Sequence, residues 1–529
     1  MSFLLNPSIH KSILLGLTRA PLTTESLHIE DAEHASETLT HLLQQHAPQQ
    51  AIWQMIAANH LLQQAGYLPQ SFACDTGANF NERNPCPAEA EHVLGLLLRG
   101  VQPELLETWL QQAQVHNVYL PYQYIAQLLE AGLRKPDLRQ ALLPILDQRG
   151  QWLVGQNPVW RKCYGIAGDH THEQWNLGNL AERVQAFTTM RLMDATAALA
   201  ALQADWRSEA GENRAALLAC LAVNISLADE DFLEAGLDDK RKEVRHTAQQ
   251  LLTQLPEAQW AKRSIERISS QVVFKKKLLG GVVLTVHLPE LCDTSMVRDG
   301  IGEQKYVGLG EKAGWLCDVV GRIPLNHWSA FSLMPSQKLI AAIIQQEFKQ
   351  PLILGLIHAT TEALKYKPTE LAVEYYTALL DVIISGQAEI EAPQSLMQVF
   401  RFLPIESQHA IVLGWIDKYG DWSGKNAIIS WCQTAANQST ASWSIKLSRR
   451  ALEQIQAGML ATSRNNWALE SALKSFARVL DVTEMTDYDT GWPDSGWAEW
   501  PYWRQKIDSF LETLRFRHNI HASFLENNK

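Results

Sequence analysis

Asp238-Asp-Lys-Arg-Lys-Glu-Val-Arg-His-Thr-Ala-Gln-Gln-Leu-Leu-Thr-Gln-Leu-Pro256 is the stretch that decides the fold. Val244, Ala248, Leu251 and Leu255 recur at helical spacing, so they share one apolar face, and small Ala248 admits a second helix at close range. Upstream, Ala215 to Ser226 carries Leu217, Leu218, Leu221 and Val223 and predicts a partner helix, with Asp238 and Asp239 in the turn between. Two short helices cannot bury their apolar faces alone, so neighbours must stack on both sides. Leu180 to Trp206, rich in Ala and Leu, is the candidate preceding neighbour.

This unit resembles a HEAT motif in its acidic turn and in the offsets of Val244, Arg245, Ala248, Leu251, Leu252 and Leu255. The same periodicity appears elsewhere. Glu37 to Gly66 predicts a helical hairpin interrupted near Pro48, and Ser71 to Pro87 a surface loop. Helices opened by prolines are expected at Pro103 to His116, Pro121 to Gly132 and Pro136 to Leu146, because a proline in the first turn forfeits no hydrogen bond. Between Gln271 and Leu288 the residues turn β-branched around Gly280-Gly281, which predicts a small β-hairpin. Helical spacing returns from Ser336 and continues through Leu371–Ile384, Ser395–Phe402, Ala410–Lys418, Lys425–Ala436 and Ser444–Gln456. The expected class is therefore all-α: an α-solenoid of HEAT-like helical repeats with a small β-hairpin insertion. Its expected divisions are an N-terminal helical sub-domain (1–165), a repeat region (178–268), a hairpin and irregular insertion (269–330), and C-terminal repeats with a Trp-rich cap (331–529).

Composition limits the function. The 529 residues exceed what one ordinary core accommodates, whereas a repeat array grows without that limit. Lys and Arg number 46 against 57 Asp and Glu, a net charge of -11, which gives no global attraction to nucleic acid or anionic lipid. Seven scattered cysteines form no C-x-x-C pair and fit a reducing cytoplasm better than a disulfide framework. The first 21 residues lack the features of an export signal, and no apolar run reaches the roughly 20 residues of a membrane span.

Four features could carry chemistry. His170 and His172 have alternate spacing that serves a metal if a third ligand converges; an exposed loop is the simpler reading. Gly308-Leu-Gly-Glu-Lys312 lacks the spacing of a phosphate-binding loop and reads as a turn opening a helix over Ala313–Val320. Arg241, Lys242 and Arg245, with Lys240, Lys262, Arg263, Arg267 and Lys275 to Lys277, form the one basic concentration. It would suit duplex phosphates, or form a solvated ridge balanced by Asp238, Asp239 and Glu243. Trp492, Trp497, Trp500 and Trp503 crowd one segment and suit either a partner interface or a cap on the last repeat. No cofactor motif and no catalytic constellation is expected.

Leu15-Gly-Leu-Thr-Arg-Ala-Pro21, Arg149-Gly-Gln-Trp-Leu153, Asn157-Pro-Val-Trp160, Ser226-Leu-Ala-Asp-Glu230, Lys242-Glu-Val-Arg245, Gly308-Leu-Gly-Glu-Lys312 and Pro324-Leu-Asn-His-Trp328 together resemble a bacterial family of unknown function. The resemblance spans nearly the whole chain. That family tends to be encoded near MoxR-type AAA+ ATPases, von Willebrand factor A domain proteins and SWIM zinc-finger proteins, which implies a protein partner among them. The function expected is a cytoplasmic protein–protein interaction scaffold. A nucleic-acid-binding or repair role on the basic face is the first alternative, and a metal enzyme or hydrolase at His170 and His172 the second.

Overall fold

Helical periodicity and proline punctuation carry through to a computed structural model that is mostly helical, with 28 α-helices among the described residues. Those residues are 7–23, 33–64, 83–164, 171–276, 282–387, 394–420, 422, 427–461, 467–483, 485 and 488–525. The chain divides into two compact units, Met1–Asn79 and Phe80–Lys529, and most of the expected Ser71 to Pro87 loop lies outside the described residues.

In the first unit, helices Glu33–Gln45 and Pro48–Gln64 form the expected hairpin, with Pro48 opening the second helix. Ile9 of the Pro7–Leu15 helix is buried with Ala51 and Met55, so three helices share a small core.

In the second unit three apolar clusters follow one another along the chain. The first gathers Leu94, Trp109, Leu128 and Leu142 from helices between Ala88 and Leu142, and takes in Ile520 and Phe524 from the chain's far end. Those two belong to the terminal helix Trp500–Ser523 and the residue just after it. Trp109 Nε1 donates to Ala90 O at 2.8 Å and its ring lies 5.3 Å from Phe524. The middle cluster is the stretch with which the sequence reading began. Val244, Ala248, Leu251 and Leu252 of the Lys242–Leu252 helix pack with Leu217 and Leu218 of the Gly211–Ala219 helix. A Cβ on Gly236 would sit 3.1 Å from the Ala248 Cβ, the close helix approach that small residues permit.

This middle region differs from the expected pair in two places. The first helix ends at Ala219 and tightens into a 3-10 turn at Cys220–Ala222, and a separate short helix, Glu230–Gly236, precedes the acidic turn. A capping box causes the restart: Ser226 and Asp229 satisfy each other's free N–H groups at its entry. The single helix expected over Leu180 to Trp206 is two, Leu180–Met193 and Ala195–Asp205. Between them Asp194 leaves helical geometry and its carboxylate caps Thr196 and Ala197.

The β-hairpin is present. Strand β1 (Val272–Lys276) pairs antiparallel with β2 (Val282–Val286), with Val272 opposite Val286. Beyond it lies the largest cluster, built on the 18-residue helix Lys349–Tyr366 and on Glu370–Ile384, Ile405–Tyr419, Ala427–Gln438 and Ile445–Ala461.

Buried guanidinium groups tie these short helices together. Arg191, 1 % exposed, makes a two-pronged ion pair with Asp229 at 2.9 and 3.0 Å. It also donates to the carbonyls of Ala195, Leu221, Val223 and Asn224. Three of these lie at or just beyond the end of the 3-10 turn, where carbonyls have no helical partner. Arg517, fully buried, does the same for Ala477 and Leu480 after the Trp467–Phe476 helix, at 2.9 and 2.7 Å.

Two predictions follow from this packing. Asp229→Ala strands Arg191 uncompensated and is expected to lower unfolding free energy by about 3 to 5 kcal/mol. The double variant Arg191→Met/Asp229→Leu should recover part of that loss, both read from urea midpoints at constant slope. His521 is held near a pKa of about 4 by burial and then by Arg517, with smaller pushes from His518 and His116. Burial also lowers His327, His358 and His409. Each folded value lies below the unfolded value of about 6.5, so the unfolded chain takes up protons first and stability falls as pH drops from about 6.5 toward 4. His521→Gln should flatten the melting temperature against pH between about 6.5 and 5, above the range where carboxylates contribute.

Candidate binding clefts

Two members of the basic concentration, Arg263 and Arg267, join Arg298 in a network with its own counter-charges. Arg263, on helix Gln259–Gln271, meets Asp299 at 2.6 Å and Glu234 at 2.9 Å. Arg267 meets Asp299 at 2.7 Å. Arg298 bridges Asp238 at 2.7 Å and Glu234 at 2.9 Å and donates to the carbonyl of Glu234. Asp299 is fully buried under these cations. Hydrogen bonding to Arg298 holds the Asp238 carboxyl below the usual carboxylate range.

Arg245 donates to the carbonyls of Asp239 and Lys240, and so closes the turn after the Glu230–Gly236 helix. Arg241 and Lys242 are exposed at the entry of the next helix. Lys275 lies on β1, while the Lys276 side chain and Lys277 fall outside the described residues.

The four candidate tryptophans face inward to different degrees. Trp503 is fully buried, whereas Trp492, Trp497 and Trp500 are half-buried against the largest core. Trp492 Nε1 donates to Tyr488 O at 2.6 Å and its ring meets Phe510 edge-on at 5.6 Å. His170 and the side chain of His172 lie outside the described residues. Among the described residues no three His, Cys, Asp or Glu side chains are grouped as a metal site requires. No described helix is long and apolar enough to cross a membrane.

Two cavities open around Arg322, the residue that ends the Glu311–Gly321 helix. The larger, about 580 Å³, forms where helix ends meet. Leu252 and Pro256 come from the close of the central helix, Ile323 and Leu325 from the next junction, and Ala359, Ala363 and Leu371 from the pair beyond. Glu362, Tyr366 and Lys367 add polar groups to a mostly apolar wall. The second cavity, about 500 Å³, is lined almost wholly by polar residues, Lys242, Glu243, His246 and Gln249 from one segment and Glu303, Gln304 and Asp318, with Gly300, from others. Both volumes fall within the roughly 300 to 1,000 Å³ of pockets that take small organic groups.

Arg322 is fixed between them. Its Nη1 donates to Asp318 O at 2.6 Å and its Nη2 to Gly300 O at 2.8 Å, and its guanidinium lies 5.6 Å from the Trp260 ring centre. Asp318 accepts from the Gly302 N–H and the Tyr306 hydroxyl, each at 2.7 Å. Burial, with Cys317 and Asp318 nearby, raises the Tyr306 phenol well above its ordinary range, and burial pushes the Cys317 thiol up to about 12. Both groups therefore remain protonated at neutral pH, and the Tyr306 hydroxyl serves as a fixed donor to Asp318. Sequence reasoning found Lys242 but not Gln249, Asp318 or Arg322, which sit among ordinary helical residues and acquire meaning only when two segments converge.

Replacing Arg322 by Met should leave the Gly300 carbonyl and the last turn of its own helix unpaired. The expected loss is about 2 to 5 kcal/mol in chemical denaturation, while Arg241→Ala, at an exposed position, should change stability by less than about 0.5 kcal/mol.

Neither the curated proteins nor the solved structures yield a match to this chain. A family model does match, over residues 8–524, and covers both compact units and the two cavities. The chain belongs to the DUF5691 family, a family of unknown function.

Proposed function

We propose that this protein is an interaction scaffold, an α-solenoid of HEAT-like helix pairs that works in the cytoplasm and holds a protein partner. The observation that carries this reading is the 580 Å³ cavity whose mostly apolar wall is assembled where the ends of six helices meet. A preformed apolar recess bordered by Glu362, Lys367 and Arg322 suits an apolar anchor side chain of a partner, with polar groups at its rim to fix register. The partner we propose is a MoxR-type AAA+ ATPase or its von Willebrand factor A domain adaptor, in keeping with the sequence resemblance.

The nucleic-acid alternative draws less support, because Arg263, Arg267 and Arg298 already face Glu234, Asp238 and Asp299. Phosphate binding would have to displace those carboxylates.

Ala363→Phe places a ring in the cavity without touching the ion-pair network. In affinity purification at native expression, the wild-type protein should retain an AAA+ ATPase after nuclease treatment. The Ala363→Phe variant, melting within a few degrees of wild type, should lose it. Retention of the ATPase by the variant, or nuclease-sensitive recovery of DNA-bound proteins, contradicts the proposal.

A further inference from the structure

The polar cavity holds donors that the fold leaves unused. Gln249 lines it yet is only 7 % exposed, and its Nε2 has no hydrogen-bond partner. Burying an amide N–H without an acceptor costs its full hydration, so an orphan of this kind calls for a reason. The amide is held in place rather than loose. It lies against Gly300, where a Cβ would come within 2.4 Å of Nε2, and Gly300 has a φ of +81° that disfavours any other residue. Arg322 lines the same cavity, and its Nε is also buried without a partner although both Nη atoms are engaged. At the rim, Lys242, Glu243 and Glu303 are exposed and have no ion-pair partner among the described residues.

We infer that this cavity binds an amino-acid-like zwitterion. Its carboxylate accepts from Gln249 Nε2 and Arg322 Nε, assisted by Lys242, and its ammonium group is drawn to Glu243 and Glu303. A carboxylate supplies the acceptor oxygens that both orphan donors lack, and charge-assisted bonds of this kind are the strong ones. With one free cation and two free carboxylates at the rim, a purely anionic ligand is opposed, whereas a ligand carrying both charges is matched. The source is either a free amino acid or a dipeptide, each of which carries both a free carboxylate and a free ammonium group.

Differential scanning fluorimetry of the full chain with free L-amino acids, dipeptides and dipeptide amides tests this. At least one probe with a free carboxylate should raise the melting temperature saturably, and the matching amide should not. Gln249→Met removes the orphan donor at nearly constant shape. Its unliganded form should melt at or above wild type, and ligand affinity should fall at least tenfold. Glu303→Gln, on the exposed rim, should weaken the same probe severalfold without altering the unliganded melt. Binding by free amino acids assigns the source to single amino acids, and binding confined to dipeptides assigns it to short peptides. No shift with any probe, equal shifts with acid and amide, or undiminished shifts in both variants overturns the inference.

Discussion

Carbonyl groups at the C-terminal ends of short helices are the constraint on which this structure turns. Each helix leaves its last carbonyls without an internal partner, and where helix ends are packed inside the protein water cannot supply one. The chain answers with arginine, whose flat fork of five donors reaches several carbonyls at once. Arg191 covers Leu221, Val223 and Asn224; Arg517 covers Ala477 and Leu480; Arg322 covers Asp318 and Gly300; Arg298 covers Glu234; Arg183 covers Trp175. Four of these five cations also meet a carboxylate, and Arg517 differs. Arg191 has Asp229, whereas Arg517 has carbonyls and the Ser442 hydroxyl, and burial pulls its pKa down to about 10.

The same solution shapes the two cavities. Because Arg322 is tied to the helix behind it and to the loop beside it, the wall between the apolar and polar cavities is rigid. A partner docking there, as proposed, would meet a preformed surface and avoid the entropy of ordering it. Gly300 is central here: its left-handed backbone turns its carbonyl to Arg322 and bares its Cα to Gln249.

Much of this was legible in the sequence, and the rest was hidden for identifiable reasons. Amphipathic segments such as Lys242–Leu252 announce themselves because one face is apolar and the other charged. The Lys349–Tyr366 helix gives no such contrast, since ten of its eighteen residues are buried and they face neighbours on several sides. Gln249 and Gln250 are identical as letters, yet one is buried at the cavity and the other exposed, a difference fixed by the loop at Gly300 some fifty positions on. Basic residues were visible as a cluster, but the carboxylates that neutralise two of them, Arg263 and Arg267, are Glu234 and Asp299, which come from other segments and become neighbours only in three dimensions.

Hydrogen–deuterium exchange of the purified protein, alone and with the ATPase proposed as its partner, tests the central claim most directly. The account predicts new protection on binding at the residues around Leu252 to Pro256, Arg322 to Asn326 and Ala359 to Leu371, the walls of the apolar cavity. Protection confined to the segment from Arg241 to Arg267, with those walls exchanging as in the free protein, would contradict it.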